Sequence, residues 1–233
     1  MQDYNELPEL IDEAVLERVR KFGTATLADG MIGLGIHRDG CMDASMMPVD
    51  ETSYMIGTAC TVETQDGDNF PIHVAIYMSK PGYVLVVDGK GYQDRAYLGD
   101  LMGGAAKAIG LNGIVMDGCV RDKVGLRELG IPVFSKGFMQ RGPAKKDKGK
   151  INNSISCAGV KVNPGDLVVG DYDGVVVIPR DRIEGVLAAA EKKSAYEDKR
   201  REAIAEYARL REEGKSPLPN LAPQWVIDML GKA

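Results

Sequence analysis

The 233-residue sequence has few aromatic residues, few cysteines and histidines, and no long apolar run. With one Trp and four Phe, the core must be built mainly from aliphatic side chains and methionine. The four cysteines show no C-x-x-C spacing, so the sequence favours neither a zinc site nor a disulfide framework. Cys60 and Cys119 lie in apolar contexts and are expected in the core. With only His37 and His73, a multi-histidine metal centre is not expected.

The sequence also has no net positive charge and no apolar run long enough to span a membrane. The formal net charge of −5 provides no basic footprint for nucleic acid. No apolar run approaches the roughly 20 residues that a membrane span needs. The acidic start, MQDYNELPEL, lacks the basic and apolar regions of a signal peptide. We therefore expect a cytoplasmic protein that binds neither nucleic acid nor membrane.

Short apolar strands alternate with helices in the middle of the chain. The continuous apolar run in YVLVVD (83–88) indicates a strand covered on both faces, as in parallel sheets. A helix, PIHVAIYMSK, separates it from a strand at 55–64. After Ser135 the predicted elements are mostly β. Further strands are predicted at 113–118, 131–134, 166–171 and 174–179, and the last two are joined by an Asp-Gly turn.

Both ends of the chain are predicted to be helical. An amphipathic helix is expected over 9–21, and Thr24 or Thr26 is expected to cap a second one. The charged segment 180–213 would form a helix of roughly 50 Å, too long for one small domain. We interpret it as an arm that packs on a neighbouring subunit, followed by a short helix in PQWVIDML. The expected organisation is one 233-residue α/β domain, with an N-terminal helical region (1–50), an α/β core (51–180) and a C-terminal helical arm (181–233).

The stretch from Leu98 to Gly137 carries most of the functional information. Gly99 and Asp100 begin a helix, where the first backbone amides lack partners and the helix dipole is positive. The amides of Leu101 and Met102 are therefore candidates to bind a substrate carboxylate, with Asp100 pointing into the same pocket. An ordinary helix cap at Asp100 is the alternative.

Arg121 and Asp122 follow directly after the predicted strand GIVMDG. In parallel α/β sheets, ligands bind beyond the carboxyl ends of the strands, so this pair is a candidate site. A surface ion pair, or a helix cap by Asp122, is the structural alternative. Asp117-Gly118 is interpreted as a simple turn, and the basic segment KKDKGK (145–150) as a solvated loop.

These motifs together resemble one known family. LGDLM, GxxGIVMDGCVRD, LRELGIPVFSKG and VNPGDLVVGDYDGVVVIP occur in order, with TATLADG and GDNFPIHVAI less sharply, over about residues 20–180. The pattern resembles the RraA-like family, which includes 4-hydroxy-4-methyl-2-oxoglutarate/4-carboxy-4-hydroxy-2-oxoadipate aldolases and regulators of ribonuclease E. Twenty residues separate Asp100 from Arg121, which resembles the acidic-x20-Arg-Asp signature of its metal-dependent lyases.

The resemblance implies a layered β-α-β sandwich and a class II type lyase that cleaves 4-hydroxy-2-oxo acids to pyruvate with Mg²⁺ or Mn²⁺. Oxaloacetate decarboxylation is the implied side activity, because both reactions leave a pyruvate enolate. Asp122 would be the direct metal ligand, Arg121 would stabilise the enolate oxygen, and Asp100 would move the hydroxyl proton through water. The family implies homotrimers or homohexamers with a glutamate reaching the metal waters from a neighbour's C-terminal helix. Among Glu191, Glu197 and Glu202, we select Glu197.

One position departs from the family pattern. Many members carry an acidic residue three positions after the Asp, where this chain has Gly125. The missing carboxylate puts the standard substrate in doubt, and the glycine is expected to enlarge the local space. His73 could line the pocket or be an ordinary histidine. Lys90 or Lys136 could instead support a Schiff-base aldolase, and a regulator that binds a ribonuclease is the non-enzymatic alternative.

Overall fold

A curved mixed β-sheet forms the centre of the protein, seen in a computed structural model that describes residues 3–231. The strands are β1 (Met47–Pro48), β2 (Met55–Glu63), β3 (Tyr83–Ala96), β4 (Gly113–Val120), β5 (Val133–Phe138), β6 (Lys150–Ile151), β7 (Ile155–Cys157), β8 (Val160–Val162), β9 (Leu167–Asp171) and β10 (Gly174–Ile178). The sheet order is β1-β5-β4-β3-β2-β9-β10, with β6 also paired to β2, and β7 and β8 form a separate hairpin. β2 to β5 are parallel, whereas β1, β6, β9 and β10 are antiparallel to their neighbours.

Helices connect the parallel strands and flank the sheet. Three helices, α3 (Phe70–Met78), α4 (Asp100–Ile109) and α5 (Lys123–Leu129), cross between successive strands β2 to β5, as parallel pairing requires. The predicted mixed α/β fold is therefore confirmed. The other helices are α1 (Glu13–Val19), α2 (Thr24–Met31), α6 (Ile183–Glu212) and α7 (Gln224–Leu230).

Strand alternation divides the apolar side chains among three clusters. In the parallel half, one sheet face packs against α3 to α5, and a register row crosses it through Cys60, Leu85, Ile114 and Val133. The opposite face encloses a second cluster together with the β7–β8 hairpin. In β9 and β10 the outward side chains instead meet α1, α2 and the start of α6. β2, β4, β9, β10 and the first half of β3 are thus buried on both faces, as the apolar runs predicted.

The segment before β1 brings the two edges of the sheet together. β1 pairs with β5 at one edge, while Cys41 forms an isolated bridge with Val176 of β10 at the other. The Met42 amide also donates to the Val175 carbonyl oxygen at 3.0 Å. The curvature of the sheet therefore encloses the second cluster between its two edges.

The N-terminal helices differ in detail from the predictions. The first helix covers Glu13–Val19, shorter than the predicted 9–21, and the amide of Ile11 bonds instead to Thr58 Oγ1 of β2 at 2.9 Å. The predicted cap of the second helix is wrong, because Gly23 is at its N-cap. The carboxylate of Asp171, from β9, accepts from the amide of Thr24 at 2.8 Å and from its hydroxyl at 2.6 Å. A distant side chain replaces the local cap.

The long charged segment is helical, as predicted. Only the first part of α6 is buried, at Ile183, Val186, Leu187 and Ala190, where it packs on α2. The rest of α6 and all of α7 lie outside the three apolar clusters. Among the described residues, no helix combines the length and the apolar character that a membrane span requires.

Candidate functional site

A small cleft lies beside the ends of β3 and β4. The chain leaves β3 to begin α4 and leaves β4 to begin α5, so both helix starts reach the same edge of the parallel sheet. The cleft has a volume of about 130 Å³. All six cleft residues predicted from the central stretch line it, namely Gly99, Asp100, Leu101, Met102, Arg121 and Asp122.

The start of α4 presents unpaired backbone amides to this cleft. The first intrahelical bond runs from the amide of Gly103 to the carbonyl of Gly99, so earlier amides have no partner within the helix. Gly99 is the N-cap residue and has no side chain with which to cap them. Asp100 is the first helical residue and not the cap, so the ordinary-cap interpretation of Asp100 is wrong.

A buried amide oxygen beside these groups also lacks a partner within the described residues. Asn69 is 2% exposed, and its Nδ2 donates to the carbonyl oxygen of Tyr97 at 2.9 Å. Nδ2 also lies 3.2 Å from the sulfur of Met102. The other side-chain atom, Oδ1, accepts no hydrogen bond. A buried acceptor without a hydrogen bond lowers the stability of the fold. A bound hydroxyl group or water would supply the missing hydrogen bond.

Arg121 and Asp122 form a loose, partly exposed pair. Arg121 Nε lies 3.4 Å from Asp122 Oδ2, with the two side chains 44% and 40% exposed. Asp122 has φ of 58° and is the N-cap residue of α5, but its side chain caps no amide. A Cβ atom at Gly99 would collide with the Asp122 carboxylate. Gly99 therefore serves two purposes, because it frees the α4 amides and leaves room for Asp122.

Gly125 does not leave an empty space next to the Arg-Asp pair. A Cβ atom at this position would lie 2.9 Å from both Cβ and Oδ2 of Asp100. The Asp100 side chain therefore already fills the place where a side chain at 125 would begin. The expectation that Gly125 enlarges the local space is refined in this way: Asp100 occupies the position next to its Cα, and Gly125 lines a cavity between α4 and α5.

Asn69 and Lys145 are among the cleft residues that the sequence analysis did not identify. Lys145 belongs to the segment that we interpreted as a solvated loop. The amide of Asn69 donates to the Ala144 carbonyl at 3.0 Å, which draws the loop over the cleft. His73 lines the cleft as well, and burial, followed by the nearby Lys145 charge, lowers its pKa. No local pattern in the sequence identifies such a long-range contact.

The predicted turn at Asp117-Gly118 is wrong. Asp117 is a buried residue within β4, and its Oδ1 lies 2.7 Å from Lys136 Nζ on β5. Its Oδ2 accepts from the amide of Ala158 at 2.8 Å, at the tip of the β7–β8 hairpin. Although burial opposes the charge, Asp117 raises the pKa of Lys136. Burial likewise opposes the charge of Lys90, but Asp88 raises its pKa. Both amines are therefore held protonated, which disfavours a Schiff base.

Comparison with known proteins agrees with this geometry. Residues 24–177 match the RraA-like family, described as Aldolase/RraA. The chain belongs to the RraA-like family. It is 38% identical over 191 residues to "Putative 4-hydroxy-4-methyl-2-oxoglutarate aldolase" from Halalkalibacterium halodurans, a match that covers 82% of this chain and 89% of the relative.

Solved structures of similar proteins share the RraA-like fold. An uncharacterized protein from Pseudomonas syringae pv. tomato is 28% identical with a TM-score of 0.74, over 85% of this chain and 96% of that one. Streptomyces coelicolor RraAS2 is 27% identical with a TM-score of 0.74, over 83% and 98% of the two chains. RraAS2 is described as an unusual member of the RNase ES inhibitor RraA protein family.

The donor atoms in the cleft of this RraA-like protein suit a hard divalent cation. Asp100 and Asp122 supply carboxylate oxygens, and Mg²⁺ typically binds through one or two carboxylates while keeping several waters. Across residues 3–231, no group of three or more His, Cys, Asp or Glu side chains is arranged to hold a metal ion. A single chain therefore offers a partial set of ligands that water or another chain would complete.

Glu197 does not lie in the cleft of its own chain. It is on α6, where Oε2 lies 2.9 Å from Arg201 and Oε1 lies 3.9 Å from Lys193. The arm was predicted to reach a neighbouring subunit, and the position of Glu197 within one chain leaves that prediction as it stands. The other candidates, Glu191 and Glu202, are on the same helix.

Proposed function

We propose that this protein is a divalent-metal-dependent lyase that cleaves 4-hydroxy-2-oxo acids to pyruvate and a second carbonyl compound. The observation that carries the proposal is the convergence of Arg121, Asp122, Asp100 and the α4 amides on one cleft. The family and the name of the Halalkalibacterium relative support the same class of reaction. Oxaloacetate decarboxylation is expected as a side activity.

The chain's own groups would bind the 2-oxo acid end of the substrate. Amides at the start of α4, including those of Leu101 and Met102, would accept the carboxylate, because they lack helical partners and lie at the positive end of the helix dipole. The Arg121 guanidinium would face the 2-oxo oxygen. Lys145 borders the same cleft, so a second carboxylate would meet positive charge there.

Asp122 would hold the Mg²⁺ or Mn²⁺, with Asp100 and, from a neighbouring subunit, Glu197 reaching the ion through water. When bound, the ion supplies a Lewis acid that lowers the energy of the enolate. Arg121 contributes a fixed positive charge at the oxygen where negative charge develops, an interaction typically worth about 3–4 kcal/mol.

Bond cleavage needs one proton acceptor and one electron sink. Asp100 would accept the C4 hydroxyl proton through water as the C3–C4 bond breaks, leaving the second product as an aldehyde or ketone. The bonding electrons move to C3 and into the 2-oxo group next to Arg121. A proton then returns to C3 and gives pyruvate. In oxaloacetate, loss of CO₂ breaks the corresponding bond and leaves the same enolate.

The proposed assembly is a homotrimer or homohexamer with sites at subunit boundaries. Apolar side chains near the cleft are exposed in the single chain, including Leu101 at 87%, Val124 and Phe138. Exposed apolar groups close to a polar cleft are typical of a surface that a partner covers. An arm that leaves the core after Ala190 could reach a neighbour. Light scattering of the full chain would test the proposed oligomeric state. The activity of Glu197→Gln would test whether this glutamate contributes to a neighbour's site.

The decisive experiment measures pyruvate release from oxaloacetate and from a series of 4-hydroxy-2-oxo acids, with Mg²⁺, with Mn²⁺ and after EDTA. We expect metal-dependent release that Asp122→Asn abolishes and Arg121→Ala lowers by about 10²–10³-fold. Asp181→Asn is the matched control, because Asp181 forms a similar sequence-adjacent pair with Arg182, at 3.6 Å, but does not line the cleft. Full activity in Asp122→Asn would contradict the proposal.

A second candidate is regulation of a ribonuclease, as the description of RraAS2 suggests for that protein. In that case the chain would bind and inhibit ribonuclease E. Asp122→Asn, which removes the carboxylate but keeps the surface shape, would leave inhibition intact. An inhibition assay run beside the pyruvate assay separates the two functions.

A further inference from the structure

A second cavity lies on the far side of Asp100 from Arg121. It is a groove between α4 and α5 of about 400 Å³. Asp100 and Leu101 line both this groove and the cleft, so the two spaces adjoin at Asp100. The other lining residues of this α4–α5 groove are Gly104, Gly125, Glu128 and Leu129.

Glycines keep the groove open. A Cβ atom at Gly103 would lie 2.7 Å from Leu126 Cδ2, so the two helices pack closely at that point. One residue further, at Gly104, the nearest atom to such a Cβ would be Leu129 Cδ2 at 3.8 Å. Space for a side chain is therefore present at Gly104 but unused within the chain.

The groove is apolar with acidic ends. Leu101 and Leu129 provide its apolar walls, and its charged lining groups, Asp100 and Glu128, are both carboxylates. Lys107, one turn along α4 from Gly104, donates to the Leu129 carbonyl oxygen and does not line the groove. A carboxylate in this space would meet like charge, whereas an alkyl group would contact the two leucines.

We propose that the α4–α5 groove receives a substituent on C4 of the substrate, so that this enzyme favours 4-hydroxy-2-oxo acids with an uncharged alkyl chain there. The inference rests on the proposed function. Proton transfer to Asp100 through water requires the C4 hydroxyl near Asp100, which places the C4 substituents at the boundary between the cleft and the groove. The positive side of the cleft, at Lys145, would suit a carboxylate, and the groove suits an alkyl group.

The test compares kcat/KM for three probes that share the reacting atoms. 4-Hydroxy-2-oxopentanoate carries a methyl group on C4, 4-hydroxy-2-oxoheptanoate a propyl group, and 4-hydroxy-2-oxoadipate a carboxymethyl group. Each buried methylene is worth about fourfold, so the propyl probe should exceed the methyl probe by about 15-fold. With the C4 configuration that directs the substituent into the groove, the carboxymethyl probe should be at least about tenfold slower than the propyl probe.

Two variants examine the groove directly. Gly104→Leu fills it and should reduce the propyl-to-methyl ratio to about one. Ala108→Leu is the control, because it adds the same bulk at an exposed position of α4 outside the groove, and it should keep the 15-fold ratio. Glu128→Lys should raise kcat/KM for the carboxymethyl probe by about tenfold relative to the propyl probe.

The outcomes are distinct. An unchanged ratio in Gly104→Leu overturns the inference, and a change in oligomer size with an unchanged ratio would make the groove a contact between copies of the chain. Metal-dependent pyruvate release from all three probes at equal kcat/KM overturns the inference about the groove but leaves the proposed function standing. Absence of metal-dependent pyruvate release from any probe overturns the proposed function, and the inference with it.

Discussion

The β4 segment carries two acid–base pairs that differ in almost every physical respect. Asp117, inside the strand, lies 2.7 Å from Lys136, and the two side chains are 7% and 13% exposed. Asp122, just past the strand, lies 3.4 Å from Arg121, and both side chains are about two-fifths exposed. The buried pair is held by the fold, whereas the open pair keeps room for a ligand.

The difference arises within five residues of chain. Asp117 faces the enclosed side of the sheet, where its Oδ2 accepts from the Ala158 amide and its Oδ1 lies at ion-pair distance from Lys136 Nζ. Asp122 lies beyond the last paired residue, and its φ of 58° turns the chain into α5. Burial therefore distinguishes a structural charge pair inside β4 from a candidate ligand-binding pair just past its end.

Breaking the buried pair should have the largest effect. Lys136→Met leaves the Asp117 carboxylate buried without its cation, and we expect a loss of about 3–5 kcal/mol in the free energy of unfolding. Arg121→Met should cost no more than about 1 kcal/mol, because the Arg121 pair is solvent-exposed. Urea unfolding measures both.

The double variant Lys136→Met/Asp117→Asn is the control for the first prediction. It removes the buried charge and should recover part of the stability. Equal losses in Lys136→Met and Arg121→Met would remove the distinction between a structural and a functional pair.

A methyl group at Gly99 should disturb the open pair while sparing the fold. Its Cβ would collide with the Asp122 carboxylate and lie 3.1 Å from Arg121 Cγ. Displacement of these groups should lower kcat/KM for metal-dependent pyruvate release by about 10²-fold. Gly185→Ala is the matched control, since its Cβ would approach no atom closer than 4.0 Å. It should keep the activity and add up to about 1 kcal/mol of stability.

The smallest expected effect is a pH dependence of the free energy of unfolding, to which the cleft contributes and the buried pair does not. Burial and Lys145 lower the pKa of His73 in the cleft from its ordinary value of 6.5. The unfolded chain therefore binds this proton at higher pH than the folded chain. The free energy of unfolding should fall as the pH drops below 6.5 and level off below the folded pKa. Lys136 contributes nothing in this range, because its pKa is raised above 10.5.

His73→Gln should flatten this part of the stability curve between pH 7.5 and 5, measured by urea unfolding. The double variant Lys136→Met/Asp117→Asn removes both ionisable groups of the buried pair, so it should shift the whole curve without changing its slope there. A slope unaffected by His73→Gln would mean that the cleft histidine titrates as it does in the unfolded chain.

Local sequence patterns predicted the elements better than the contacts. The run YVLVVD predicted the start of β3, and the charged segment after Arg180 predicted α6, because periodicity and apolar runs report burial directly. The prediction that Thr24 or Thr26 caps α2 is wrong because Asp171, far away in the chain, supplies the acceptor for the Thr24 amide. Lys145 was missed because its loop is held by Asp68, whose Oδ2 accepts from the Lys146 amide at 2.7 Å.

The sequence by itself determined that Arg121 and Asp122 follow a buried strand and that Asp100 begins the helix before that strand. Only the tertiary structure decided that Asp117 is a buried partner of Lys136, and that Gly125 accommodates Asp100. Strand order along the chain is a local property that apolar runs encode. Which charges meet, and how far water reaches them, depends on sheet curvature and on the packing of helices distant in sequence.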